Sequence, residues 1–144
     1  MTGDPASAGW LPSDAGPFSQ EFGPVWQRTA PDGLSYGLLI EARHGNHMAV
    51  AYGGVVMALA EHAMAALAMQ ALGCRALRAL QFDLQFLSPG AQGEMLIASG
   101  AVLRRSATLA FLRGEVRVGD RLVAAASGIW KTVRADTVQT ETGP

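Results

Sequence analysis

Gly53-Gly54, the apolar run Val-Val-Met-Ala-Leu-Ala and then Glu61 form the stretch of this chain best suited to do chemistry. Glu61 is a single carboxylate among apolar neighbours, and burying it there is costly unless it is paired or has a task. A helix that begins near Gly53 places Glu61 about two turns in. The paired glycines offer bare backbone N–H groups at the positive end of that helix, where an oxyanion is stabilised. An acid and an anion hole on one element point to hydrolysis or proton transfer at a carbonyl. For Glu61 the structural alternative is an ion pair across a subunit contact. Asn46 can donate and accept, so it suits a water-orienting or carboxylate-holding role, while a loop Asn also serves as a turn former. Tyr52 carries a phenolic O–H for a carbonyl, or packs and shapes a pocket.

The helix that must carry these groups is predicted over residues 53–72, closed by Gly73 at the C-cap. It is apolar nearly all round, as expected of a helix that a sheet wraps or whose other side a second subunit covers. Its length also approaches a bilayer span. Glu61 and His62 in its middle would be expensive in lipid, and the strands that follow need it as their core, so a membrane role is set aside. Before it, Pro31-Asp32-Gly33 introduces a strand over 34–42. After it, Leu80, Phe82, Leu84 and Phe86 alternate with polar residues, and further strands are predicted over 94–105, 108–118 and 122–133. Gly119-Asp120 is a two-residue hairpin signal. One strand, a long helix and four strands in meander-like succession give an α+β domain, an antiparallel sheet wrapped around one central helix. Open strand edges then favour a homodimer or homotetramer.

Residues 1–17, rich in Gly, Pro, Ser and Asp, read as a mobile arm, residues 18–134 as the single domain, and residues 135–144 as a frayed tail. Phe18, Phe22, Val25 and Trp26 suggest a short docking helix cut by Gly23-Pro24. With 49% hydrophobic residues in 144, the chain can fill one core unaided. A net charge of -1 supplies no field for nucleic acid or acidic membranes. The lone Cys74 fits a reducing compartment, and no signal peptide is legible, so a cytoplasmic location is expected. His44, His47 and His62 lack metal-ligand spacing, and neither a metal nor a cofactor is called for. His62 points about 100° away from Glu61 around the helix, so the two form no dyad.

His44-Gly45-Asn46, Tyr52-Gly53-Gly54 and Leu59-Ala60-Glu61, with Leu87-Ser88-Pro89 and Gly93-Glu94 further on, resemble the hot-dog fold acyl-CoA thioesterases of the phenylacetate-pathway and 4-hydroxybenzoyl-CoA type. The likeness covers about residues 34–134. It implies an acyl-CoA substrate, Glu61 as general base or nucleophile, and the Gly53 N–H, beside Gly54, as oxyanion donor. Such a substrate carries phosphates, for which Arg75, Arg78, Arg104, Arg105 and Lys131 are the candidate cations, with Arg104 and Arg105 chosen among them. The chain departs from that pattern at Tyr52, where the family has His, and at Ala49, where it has Gly. Ala65 and Ala79 stand where several relatives place a hydroxyl near the acid. A binding protein that lost turnover with its histidine is the alternative function. A hydratase of the same fold is weaker, because no His-containing dehydratase motif is found.

Overall fold

A computed structural model describes residues 3–14 and 16–134. The tail expected beyond residue 134 lies outside the described residues. Seven strands form one antiparallel sheet: β1 (Leu11–Ser13), β2 (Val25–Ala30), β3 (Gly33–Leu39), β4 (Leu77–Phe86), β5 (Met95–Arg105), β6 (Leu109–Val118) and β7 (Arg121–Thr132). Among the described residues two α-helices accompany them, the short α1 (Pro17–Phe22) and the long α2 (Gly53–Leu72). Spatial order is β1-β2-β3-β5-β6-β7-β4. The expected sheet around one helix is therefore observed, but the four strands after the helix are not a simple meander. β4 lies at the far edge beside β7, and the chain crosses over to pair β5 with β3.

Helix α2 has the bounds predicted for it. Gly73 ends it in the left-handed region, at φ 60°, where only glycine is unstrained, and its N–H caps the last carbonyls. Val56, Leu59, Ala60, Ala63, Met64 and Ala68 recur at helical spacing and are buried against the sheet. Each large side chain buried this way contributes roughly 1.5–3 kcal/mol. Gly114 on β6 lets the helix approach, since a Cβ there would lie 2.7 Å from the Met64 sulfur. The core has two lobes. One joins Leu38, Ile40, Leu59 and Leu96; the other joins Met64, Leu112 and Trp130.

The alternation of β4 is only half satisfied by burial. Phe82 and Leu84 turn to the core, while Leu80 and Phe86 stay more than half exposed. A register shift between Ala79 and Gln81 and the edge position of the strand account for this. The docking-helix expectation needs correction: α1 stops at Phe22, and Val25 and Trp26 belong to β2. The bond between Gly23 and Pro24 is cis, and the chain turns there from helix into strand. Within the stretch expected to be an arm, residues 5–8 form a 3-10 turn, Trp10 is buried, and β1 pairs with β2.

Candidate active site

Glu61 projects from the second third of α2 into a cavity of about 490 Å3, which it shares with Tyr36, His62, Ala65, Met69 and Arg75. The helix supplies the floor. β3 contributes Tyr36, the residue before β4 contributes Ala76, and β4 itself contributes Leu77 and Ala79. Glu61 is half-buried, and the indole Nε1–H of Trp130 donates to its Oε1 at 3.4 Å, a long bond. Trp130 is fully buried on β7. Nothing in the spacing of the chain marks it as a partner of Glu61, because 69 residues separate the two.

Ala65 and Ala79 line this same cavity. The positions where the resemblance places supporting hydroxyls thus share the cavity of the acid, and this chain puts methyl groups there. Beside them, the His62 ring stands edge-on to Tyr36, with centroids 4.7 Å apart. Its Nε2 is buried without a hydrogen-bond partner among the described residues. Burial pushes the His62 pKa below the ordinary histidine value. A histidine so held stays neutral in the folded chain where the unfolded chain binds a proton. Its contribution to stability is therefore full above about pH 6.5 and is lost progressively as pH falls below that value. The thermal midpoint of the wild type is expected to drop between pH 7.5 and 5.5, and His62→Leu to flatten that drop. Equal slopes for the two proteins would remove His62 from the account.

Gly53 does not meet Glu61 within one chain. Eight residues of helix separate them, about 12 Å of rise. Gly53 lines a different cavity of about 350 Å3, with Val50, Phe86, Ser88 and Val123. The Phe86 ring lies over it, 3.1 Å from where a Cβ would stand. Helix geometry leaves the first N–H groups of α2 without intrahelical acceptors, and Tyr52, at the N-cap, adds no side-chain cap. Gly54 is exposed and faces the Tyr52 ring, which is itself 64% exposed.

Asn46 behaves as the turn former. Its Oδ1 accepts from the Met48 N–H at 2.9 Å, and its backbone closes the loop onto Ala49 and Val50. No hydrogen bond joins it to Glu61 among the described residues. Ala49 sits in the left-handed region at φ 56°, which explains a preference for Gly there; an alanine carries a cost of about 1–2 kcal/mol. His44 is buried and structural: its Nδ1 accepts from the Glu41 N–H, and its Nε2 lies 2.5 Å from the Phe22 carbonyl. His47 is exposed. Arg104 and Arg105 lie exposed at the end of β5 and line neither cavity. Arg75 is the cation at the rim of the Glu61 cavity, a position that follows from the turn after Gly73 rather than from any motif.

The model of the thioesterase superfamily matches residues 48–125, more than half of the chain. Among solved structures, a point mutant of the phenylacetic acid degradation protein PaaI from Thermus thermophilus superposes with a TM-score of 0.72 at 24% identity, covering 82% of this chain and 100% of that one. AziG from S. sahachiroi gives 0.74 at 22%, over 84% and 99%. BH2602 from Bacillus halodurans, solved with CoA, gives 0.65 at 18%, over 76% and 74%. A comparison with curated proteins finds no significant match. A seven-stranded antiparallel sheet around one long helix, with the superfamily match running through the Gly pair and Glu61, places this chain in the thioesterase superfamily, with a hot-dog fold.

Proposed function

We propose that this protein hydrolyses an acyl-CoA thioester to a carboxylic acid and free coenzyme A. The observation that carries the reading is Glu61, half-buried at the floor of a cavity large enough for an acyl group. As general base, Glu61 takes a proton from water as the oxygen attacks the thioester carbon. The tetrahedral oxyanion is held by the Gly53 N–H, with Gly54 beside it, and collapses to expel the coenzyme A thiolate, which Glu61 reprotonates. Acting instead as nucleophile, Glu61 forms an anhydride that water then opens. Tyr52 borders the approach to the Gly pair, and Arg75 is better placed than Arg104 or Arg105 to meet a phosphate near Glu61. The fold likeness to a protein solved with CoA supports a coenzyme A thioester as ligand.

Because a carbonyl must lie about 3 Å from both oxyanion donor and base, one chain cannot supply both. Two copies with antiparallel α2 helices bring Gly53 of one to Glu61 of the other, so the proposed working unit is a dimer or a higher assembly. The exposed Leu80, Phe86 and Leu87 along the β4 edge and the uncovered face of α2 support it. Sedimentation at micromolar concentration is expected to give at least twice the 15.1 kDa chain mass; a species near 15.1 kDa alone would overturn this arrangement.

The methyl groups of Ala65 and Ala79 around the acid favour a second reading, a protein that binds acyl thioesters without turnover. Free-thiol release over short, long and aromatic acyl-CoAs separates the two. Hydrolysis of at least one is expected; flat traces with calorimetric binding would establish the second reading.

A further inference from the structure

The cavity of Glu61 has a wall that no motif announces. Trp10 is 1% exposed and packs on the sheet beside Gly37, where a Cβ would lie 3.2 Å from its ring, and the Arg28 guanidinium stacks on the same ring at 4.4 Å. From this anchor β1 runs along β2 with Leu11 opposite Gln27 and Ser13 opposite Val25. Gln27 in turn faces Tyr36. Ser13, Gln27 and Tyr36 therefore share the sheet face that looks toward α2, and all three line the cavity of Glu61. Asp14 follows at the rim, fixed by accepting the Gly16 N–H at 3.0 Å. Among the described residues, Asp14 and Glu61 thus put two carboxylates around this space, against the one guanidinium of Arg75.

We propose that Ser13 and Asp14 are selectivity residues, the wall of the acyl cavity against long acyl groups and against those that end in a carboxylate. The inference rests on the reading that this cavity receives the acyl group. Ser13 limits length because its strand is clamped by Trp10 and cannot retreat. Asp14 acts by charge: it stands exposed at the rim, and a terminal carboxylate entering there meets a like charge whose repulsion weakens as salt is added.

Pentanoyl-CoA and glutaryl-CoA test the charge, having equal carbon count and differing by the terminal carboxylate. Asp14→Asn keeps the acceptor for Gly16 and loses the charge. It is expected to raise the glutaryl-to-pentanoyl ratio of kcat/KM about fivefold at low ionic strength, an effect that shrinks at 0.5 M salt. A merely structural role would not produce that salt dependence. Ser13→Phe is expected to lower the decanoyl-to-pentanoyl ratio about tenfold, with the circular dichroism of the fold retained. Calorimetric Kd values for the same pairs give the same ratios independently of turnover. Ratios unmoved in both assays would overturn the proposal and leave the thioesterase reading standing. Kd ratios that move in a protein releasing no thiol would uphold it while the thioesterase reading falls; failure of every acyl-CoA to bind would end both.

Discussion

Glu61→Gln is expected to lower kcat for the best acyl-CoA by on the order of 10²-fold or more, with little change in thermal midpoint. Glutamine keeps the shape of the side chain and can still accept from the Trp130 indole N–H, so the packing of α2 is undisturbed. It cannot take a proton from water, and it cannot form an anhydride. The loss therefore falls on kcat under either mechanism. Purified Glu61→Gln hydrolysing at the wild-type rate would remove Glu61 from the chemistry and leave it the structural role of a half-buried hydrogen-bond acceptor. Single-turnover detection of an anhydride in the wild type then separates nucleophile from base.

Trp130→Ala is expected to cost roughly 3–5 kcal/mol, the range for emptying a fully buried aromatic site. Against a total stability of about 5–15 kcal/mol for a domain, that is enough to leave much of the protein unfolded. The ring lies over Gly128, where a Cβ would stand 2.5 Å from it, and meets Phe82 edge-on at 6.0 Å. Its hydrogen bond to Glu61 is the smaller term, since a bond of 3.4 Å contributes at most about 0.5–1.5 kcal/mol. Trp130→Phe separates the two, keeping most of the packing and removing the donor. Urea denaturation is expected to show a much smaller loss for Phe than for Ala, with the Phe variant impaired mainly in kcat through a less constrained Glu61. A loss below about 1 kcal/mol for Trp130→Ala would mean that the second core lobe repacks around the space.

Local chemistry was legible along the chain wherever the physical cause is itself local. The bounds of α2 follow from an apolar run with Gly53-Gly54 at one end and Gly73 at the other, because caps and periodicity act over a few residues. β5, β6 and β7 are read nearly to the residue for the same reason, with Gly119 at φ 54° turning the last hairpin. β2 escaped because six residues containing Gln, Arg and Thr carry little periodicity; it exists through its pairing with β3 and β1. The Gly pair and Glu61 were likewise readable as a helix start and a lone acid on one helix. What they cannot do together was not readable from their closeness in sequence, since a helix converts eight residues into about 12 Å.

The sequence by itself determined a long apolar helix with one acid, five of the seven antiparallel strands around it and the family to which such spacing belongs. Only the tertiary structure decided which strand closes which edge, for loop crossings depend on what each sheet face must cover rather than on the loop's own residues. It also decided that Trp130 meets Glu61, that Ala79 lines the cavity of Glu61, and that β1 brings Ser13 and Asp14 to the same cavity. These neighbours come from far along the chain, and no period or motif encodes a contact that forms only when a sheet wraps a helix.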